Sequence, residues 1–216
     1  MSSNSYMSRI TRQLIKKCSK ESPWHFGNKV LYDLCRNHPD HRDKSVVIAK
    51  IWLIGRAYAA VIERRKNKEG GNGDFYLEEV APKVCKSKID TWIENASVHR
   101  SPSLNSITKI LSAHGNLTAL FNDISGLEKR SLASKYLHFH KPNLFFIYDT
   151  RAVAAMRKLS DIAGHAVPRD DLFDNEYHKF TNKCISLRDR IKKDYGVTLN
   201  PRQIDNLLLE IYSENK

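Results

Sequence analysis

The sequence predicts an all-α protein, built as a two-lobed helical bundle with a cleft between the lobes. Apolar residues recur at intervals of three and four over most of the chain, whereas alternating strand patterns are scarce. Short turn signals separate these segments, and the chain has no internal repeat and no long linker. At 216 residues it can bury a substantial core as a single unit. We expect one lobe to contain residues 1–72 and 160–216, and the other to contain residues 73–159.

The first third of the chain predicts three helices. Residues 5–20 have an apolar stripe with basic residues between its members, which is typical of an amphipathic helix. A turn at residues 23–29 precedes a second helix at 30–36. Residues 43–68 form the longest helical pattern, apolar on more than one face, and Gly55 within it indicates that a neighbouring helix approaches closely.

The remaining elements are shorter, apart from one long helix near the end. The glycine-rich run at 70–74 predicts a flexible loop and the lobe boundary. Gly115 is expected to stop the amphipathic helix that precedes it. The further predictions are two short helices within 75–98, a helix at 103–114, a turn at 125–128, a helix at 129–138, a turn at 141–143, an extended run at 144–148, helices at 150–159 and 170–193 on either side of a loop at 161–168, and a closing helix that begins at Pro201.

The composition points to a polyanionic partner inside the cell. The net charge is +12, and the pI of about 9.5 exceeds what solubility requires, which indicates a polyanionic partner, most simply nucleic acid. The cysteines are Cys18, Cys35, Cys85 and Cys184; they are scattered, which indicates reduced core thiols. The N-terminus has no apolar signal core, and no stretch reaches the length of a membrane span. The expectation is a soluble, cytoplasmic monomer that does not bind membranes.

The sequence lacks the motifs that are typical of several enzyme classes. The chain has no G-x-x-x-x-G-K-S/T phosphate loop, no H-E-x-x-H zinc motif and no G-x-S-x-G elbow. His138 and His140 are two residues apart, so on a helix they point in different directions and a shared metal ion is not expected. His38 and His41 flank a turn. We therefore predict no metal and no cofactor, and interpret these histidines as surface or hydrogen-bonded residues.

Residues 124–159 hold the main functional candidate. The turn at Gly126 leads into a helix, and such a helix N-terminus presents unpaired N–H groups that suit a DNA phosphate. Asp149 follows the apolar run, where the next helix begins, so a strand bound at the turn would pass its carboxylate. The alternative is that Asp149 acts only as an N-cap, a common place for aspartate. The predicted DNA-contacting residues are Gly126, Lys129, Arg130, Ser131, Lys135 and Arg151.

This stretch resembles a known family. Residues 126–153 look like the helix-hairpin-helix and aspartate core of the DNA glycosylase superfamily that includes endonuclease III and 8-oxoguanine glycosylase, most specifically at 132–151. With residues 24–34 and 51–65 included, the pattern is similar to bacterial proteins related to the 8-oxoguanine enzymes. The resemblance implies that Asp149 is the catalytic aspartate and that Ala133 is the small residue on which the hairpin packs.

The sequence departs from the family pattern in ways that predict a monofunctional enzyme. The G-x-G of the hairpin is Gly126-Leu127-Glu128 here. The lysine that forms a Schiff base in bifunctional members falls near Arg130 or Ser131, and Lys129 replaces it only after a small shift. The four-cysteine cluster of endonuclease III is absent. The resemblance therefore implies removal of a base without strand cleavage.

A base pocket is predicted around the turn at 23–29. Its density of aromatic and amide side chains suits stacking and edge recognition of an extruded base. The alternative is that Trp24 and Phe26 only pack the following helix onto the core. The candidate pocket residues are Trp24, His25, Phe26, Asn28, Tyr58 and Tyr148.

The leading hypothesis is a DNA glycosylase that acts on a damaged or modified base without a metal ion. Its role is either repair or defence against phage DNA with hypermodified bases such as glucosylated hydroxymethylcytosine. The alternative is a DNA-binding module that has kept the hairpin and lost catalysis, which the altered G-x-G favours. A toxin-like nuclease would need a cluster of acidic residues that the sequence does not contain.

Overall fold

The computed structural model of the protein describes residues 9–21, 23–63, 73–167, 170 and 173–213. All regular secondary structure in these residues is helical, which confirms the all-α prediction. The helices are α1 (Arg12–Cys18), α2 (His25–Asn37), α3 (Lys44–Ala57), α4 (Ala81–Lys86, which follows a π-helical turn at Tyr76–Val80), α5 (Ile89–Ser97), α6 (Ile107–Ser125), α7 (Arg130–His140), α8 (Thr150–Lys158), α9 (Asn175–Tyr195) and α10 (Pro201–Ser213).

Helix α7 lies at the centre of the fold. It packs against α2, α3 and α6, and every residue from Leu132 to Phe139 is buried. Helix α10 packs mainly against α8 and also against α1, while α9 contacts α6 and α8. The buried apolar residues of these groups form one cluster. The predicted division into two lobes stays a prediction.

Side-chain caps fix where several helices begin. Thr11, Asp43 and Asp174 each accept a hydrogen bond from a backbone N–H two or three residues later. Asp43 was predicted to cap this helix, and α3 does begin directly after it, at Lys44. The described helix α1 begins at Arg12, and the predicted start at residue 5 lies outside the described residues, which begin at residue 9. Helix α9 begins later than the predicted residue 170.

The end of α3 corrects the prediction of a helix that continues to residue 68. The helix ends at Ala57, because Ala59 adopts a left-handed conformation with φ of 49°. The N–H of Ala60 donates to the carbonyl of Gly55 at 2.8 Å, and the N–H of Ala59 to that of Arg56 at 3.3 Å. These two bonds are those of a Schellman C-cap, which usually has glycine in the left-handed position.

Gly55 does allow a close approach, but not by another helix. A Cβ atom at this position would lie 3.2 Å from the Cα atom of Val61, which belongs to the chain that turns back after α3. The glycine therefore lets the segment after the helix fold against it.

The helix predicted at 103–114 was expected to stop at Gly115, and this was wrong. Helix α6 continues through Gly115 to Ser125, because Leu117 and Phe121 extend its buried apolar face. It ends at Ser125, and the C-cap residue that follows, Gly126, has φ of 71°. The turn predicted at 125–128 is confirmed.

Helix α2 begins five residues earlier than predicted. His25, Phe26 and Asn28, expected in a turn, lie in its first two turns, and the N–H of Asn28 donates to the carbonyl of Trp24 at 3.0 Å. By contrast, α7 and α8 match the predicted helices at 129–138 and 150–159 to within two residues.

Buried hydrogen bonds involve two of the predicted histidines. Nδ1 of His41 pairs with the Asp90 carboxylate at 2.5 Å, and its Nε2 pairs with the hydroxyl of Tyr136 at 2.7 Å. His138 is also buried and has partners on both ring nitrogens. These contacts tie α7 to α2, to α5 and to the loop before α3, so both histidines are hydrogen-bonded, as predicted.

Two other expectations concern thiols and membranes. Cys18, Cys35 and Cys184 are buried, Cys85 is half-buried, and none of the four forms a disulfide, so the prediction of reduced thiols is confirmed. Within the described ranges no helix has the length and apolar character needed to span a membrane. Of the glycine-rich loop predicted at 70–74, residues 70–72 lie outside the described residues.

Candidate functional site

A polar face of α7 holds the extended segment that leads to Asp149. The segment belongs to no sheet, so its backbone groups need side-chain partners. Ser134 Oγ accepts a hydrogen bond from the N–H of Tyr148 at 3.0 Å, and His138 Nδ1 pairs with the carbonyl of Phe145 at 2.8 Å. From α9, the hydroxyl of Tyr177 donates to the carbonyl of Phe146 at 3.0 Å. The direction in which Asp149 leaves the core is therefore fixed by α7 and α9.

Lys135 lies on the same face of α7 and is only 1% exposed. Its Nζ donates to Ser131 Oγ at 2.6 Å and to the carbonyl of Tyr148 at 3.3 Å, and lies 3.5 Å from Asp149 Oδ2. Burial lowers the pKa of Lys135 below its ordinary value, against the opposing effect of the Asp149 charge. The sequence predicted Lys135 as a DNA contact, whereas its ammonium is enclosed by protein oxygens in this structure.

Asp149 is the N-cap of α8, as its position in the sequence predicted. Its Oδ1 accepts hydrogen bonds from the backbone N–H of Arg151 at 2.9 Å and from Arg151 Nε at 3.1 Å. The side chain is 16% exposed. Burial raises the pKa of Asp149, but the Lys135 ammonium and the Arg151 hydrogen bonds outweigh it, so the pKa is lower than usual. The site therefore contains a partly exposed carboxylate that stays ionised at neutral pH.

The hairpin between α6 and α7 borders an open groove. The groove has a volume of about 710 Å³, and its walls are residues 126–129 of the hairpin and residues 59–61 after α3. Ser131, from the first turn of α7, also lines it. Helix α7 has no side-chain cap at its N-terminus. A groove that combines a helix N-terminus with basic residues can bind an anion.

The predicted hairpin cations are held by protein partners. Arg130 Nε donates a bifurcated hydrogen bond to the two carboxylate oxygens of Asp174 at 2.6 and 2.7 Å, and its Nη2 contacts Glu128 at 2.8 Å. Lys129 Nζ lies 3.4 Å from the carbonyl of Val61 across the groove. Arg151 is exposed, although its Nε binds Asp149. Arg130 therefore ties the hairpin to the start of α9, Lys129 is half-buried beside the groove, and Arg151 is exposed.

The predicted base-pocket residues separate into two groups. Trp24 and Phe26 are 79% and 76% exposed, so they do not pack α2 onto the core as the alternative proposed. His25 and Asn28 line a cavity of about 140 Å³. The hydroxyl of Tyr58 donates to Asn28 Oδ1 at 2.5 Å, which places Tyr58 next to this cavity.

Tyr148, the remaining predicted pocket residue, lies elsewhere. Its half-buried ring packs edge-on against Phe180 at 5.3 Å, and the guanidinium of Arg130 lies 5.8 Å from its centre. Tyr148 is therefore part of the support for the hairpin and Asp149, on the side of α9.

Two charged residues of α10, Arg202 and Asp205, interact with each other, and the charge of Asp205 also acts on Lys135. The sequence did not predict either of them as a site residue. Arg202 Nη1 contacts Asp205 Oδ2 at 3.2 Å. Burial raises the pKa of Asp205 to about 6, against the opposing charges of Arg202 and Lys135. A usable signal was present in the sequence: Asp205 directly follows Ile204 on the apolar face of the closing helix, where an acidic residue is unexpected.

Comparison with known proteins assigns a family. The profile of HI_0787_N, described as an N-terminal domain, matches residues 9–144, and the chain belongs to this family. The match covers α1 to α7 and ends before Asp149. No curated protein and no solved structure gave a significant match.

Proposed function

We propose that the protein is a monofunctional DNA glycosylase that hydrolyses the N-glycosidic bond of a damaged or modified base in double-stranded DNA and leaves an abasic site. The observation that carries this proposal is Asp149, an ionised carboxylate at the start of α8, joined through the buried Lys135 on α7 to a hairpin that borders an open groove. The resemblance of residues 126–153 to the glycosylase core adds support.

The net charge of +12 and the groove at the hairpin suit a DNA backbone. The N-terminus of α7 offers N–H donors to a phosphate, and Lys129 and Arg151 add cationic groups nearby. These contacts do not depend on base sequence, so they position the DNA and leave the choice of base to another part of the site.

The proposed chemistry needs one charged group at the sugar. The target nucleotide first leaves the stack, at a cost on the order of a few kcal/mol. As the glycosidic bond breaks, the electron pair leaves with the base and positive charge builds on the deoxyribose. The Asp149 carboxylate stabilises that charge and orients a water molecule, whose oxygen bonds to C1′ and whose proton is transferred to the carboxylate or to solvent.

The environment of Lys135 supports hydrolysis without a covalent intermediate. Its ammonium is buried and contacts three oxygens, so we assign it to the support of Asp149 and not to attack on the sugar. Lys129, the other lysine near the site, contacts the carbonyl of Val61 in the groove. Borohydride trapping tests this assignment, because a covalent adduct lost in Lys129→Ala or Lys135→Ala would make the protein bifunctional.

The deciding experiment compares duplexes of the same sequence that contain uracil, 8-oxoguanine, an alkylated base or glucosylated hydroxymethylcytosine. We expect abasic sites, detected by alkaline cleavage, from at least one duplex. Asp149→Asn is the matched negative control. A preference for the glucosylated base would indicate phage defence, and a preference for a lesion would indicate repair.

The second candidate is a DNA-binding module without catalysis. It is favoured by Glu128, which replaces the second glycine of the hairpin and contacts Arg130. Binding of every duplex with no abasic product would establish this function instead. In either case we expect a monomer in the cytoplasm that acts without a metal ion.

A further inference from the structure

Arg130 is held by two acidic side chains that differ greatly in burial. Its Nε donates to both carboxylate oxygens of Asp174, a side chain that is 6% exposed, whereas its Nη2 contacts Glu128, which is 66% exposed. Burial lowers the pKa of Arg130, but the Asp174 carboxylate outweighs it and raises the pKa, and Glu128 adds a smaller effect in the same direction. Asp174 is therefore the main partner of Arg130, and Glu128 is an exposed second one.

The two acids also differ in what else they hold. Asp174 caps α9, because its Oδ1 accepts the N–H of Tyr177 at 2.7 Å. Among the residues that the structure describes, Arg130 is the one partner of the Glu128 side chain in a hydrogen bond or ion pair. An exposed ion pair of this kind contributes little to stability. Removal of the Glu128 charge should therefore leave the hairpin tied to α9 through Asp174.

Glu128 lines the groove in which the DNA backbone is proposed to bind. It faces residues 59–61 across a volume of about 710 Å³, together with Lys129 and Ser131. It directly precedes Lys129, the N-cap residue of α7, and this helix has no side-chain cap. A helix N-terminus attracts an anion, whether that anion is a carboxylate or a phosphate. Glu128 therefore supplies a negative charge at the end of α7 that a DNA phosphate is expected to approach.

The contact between Glu128 and Arg130 has the chemistry of a protein–phosphate contact. A guanidinium group binds carboxylate and phosphate oxygens through the same N–H donors. Asp174 occupies Nε of Arg130, so Nη2 is the donor that exchanges one anion for the other. A carboxylate and a phosphate at the same donor repel each other. The two anions therefore compete for the Arg130 guanidinium.

We propose that Glu128 is an autoinhibitory residue, whose carboxylate occupies Arg130 in the free protein and must be displaced by a backbone phosphate when DNA binds at the hairpin. The inference rests on the proposed function and adds a regulatory element to its DNA-binding surface. It also gives a role to the altered G-x-G, because a glycine at position 128 would leave the Arg130 Nη2 open to any phosphate.

Such a competitor limits binding to DNA that contains no target. A protein with a net charge of +12 binds duplexes of any sequence through phosphate contacts, and these contacts do not recognise a base. Competition from Glu128 weakens one of them, so the protein leaves unmodified DNA sooner. At a target site the contacts to the extruded base add to those with the backbone, and the complex is stable in spite of the competitor.

The test uses Glu128→Gln, which keeps the shape of the side chain and removes its charge. Glu94→Gln is the matched control, because Glu94 is an exposed glutamate on α5 that lines a different cavity and its replacement changes the net charge equally. The affinity of the wild type and of both variants for an unmodified duplex is measured at several salt concentrations. Thermal unfolding of the three proteins is recorded in parallel.

We expect Glu128→Gln to bind the unmodified duplex about 3- to 10-fold more tightly than the wild type, with a salt dependence that is steeper by about one phosphate contact. Glu94→Gln should differ from the wild type by less than about two-fold, and the unfolding temperatures should agree. Wild-type affinity in Glu128→Gln would overturn the proposal. An equal gain in both variants would overturn it too, since only the net charge would then matter.

A second measurement separates this proposal from the function on which it rests. Inorganic phosphate is titrated into the same three proteins while the backbone amide resonances of residues 130–132, in the first turn of α7, are followed by NMR. Half-maximal shifts in Glu128→Gln at a phosphate concentration at least about three-fold lower than in the other two would support the competition even if no duplex is bound or cleaved. Excision of a base together with identical phosphate titrations would sustain the glycosylase and refute the role of Glu128.

Discussion

The ammonium of Lys135 lies 3.5 Å from the carboxylate of Asp149, and the two residues reach this position from different elements. Lys135 belongs to the most buried part of α7, and Asp149 is the first residue beyond the extended segment that α7 holds. The pair therefore couples the charge state of the carboxylate to the packing of the central helix. Removing either partner should change the site in a measurable way without removing the helices that carry it.

Lys135→Met should shift the pH dependence of the proposed reaction. The Lys135 charge lowers the pKa of Asp149 while burial raises it, so without the charge the pKa rises. Activity that needs the ionised form is then lost on the acidic side at a higher pH than in the wild type. The measurement is single-turnover excision against pH, with the exposed Lys86→Met as control. An acidic limb that stays in place would exclude this coupling.

Asp149→Asn should abolish most of the proposed activity and leave the start of α8 in place. Asparagine is as good an N-cap as aspartate, so α8 keeps its first hydrogen bond. The charge at the sugar is lost, and we expect excision to fall at least about 100-fold. Thermal unfolding and excision are measured together, with Asp43→Asn, the cap of α3, as the matched variant. Unchanged excision would exclude Asp149 from the mechanism.

The starts of α3 and α8 could be predicted because their caps are local. Asp43 and Asp149 each bind an N–H within three residues, so their chemistry is readable from neighbouring sequence. The ends of α3 and α6 could not be read in this way. Ala59 is left-handed without being glycine, and Gly115 lies inside a helix whose apolar face continues past it. Tertiary packing decides both positions.

The candidate site was predictable in part for the same reason. The place of Asp149 at the start of α8 follows from the sequence, and its catalytic role stays a prediction. The burial of Lys135 does not follow, because a lysine on a helix usually faces solvent. Arg202 was missed because its partner Tyr32 is 170 residues away, and no local pattern marks such a contact.

Asp205 should make stability depend on pH between about 4 and 6. Its folded-state pKa of about 6 lies above the ordinary value of 3.8, so the folded state holds a proton that the unfolded state has lost. This contribution is present below pH 4, decreases as pH rises and is gone above pH 6. Two pKa units correspond to at most about 3 kcal/mol. In urea unfolding, the free energy of unfolding of Asp205→Asn should rise relative to that of the wild type as pH increases from about 4 to 6. A difference that stays constant over this range would contradict the assignment.

Ala59→Gly should stabilise the protein, because Ala59 is the left-handed residue of the cap that ends α3, with φ of 49°. Glycine adopts this conformation without the Cβ penalty, and we expect a gain of about 1 kcal/mol in the free energy of unfolding. Ala49→Gly, within the same helix, is the matched control and should lose about 1 kcal/mol. Chemical denaturation of both variants at neutral pH gives the comparison. A loss at position 59 as large as that at position 49 would mean that the chain does not turn there in solution, and that the groove between residues 59–61 and the hairpin has a different shape.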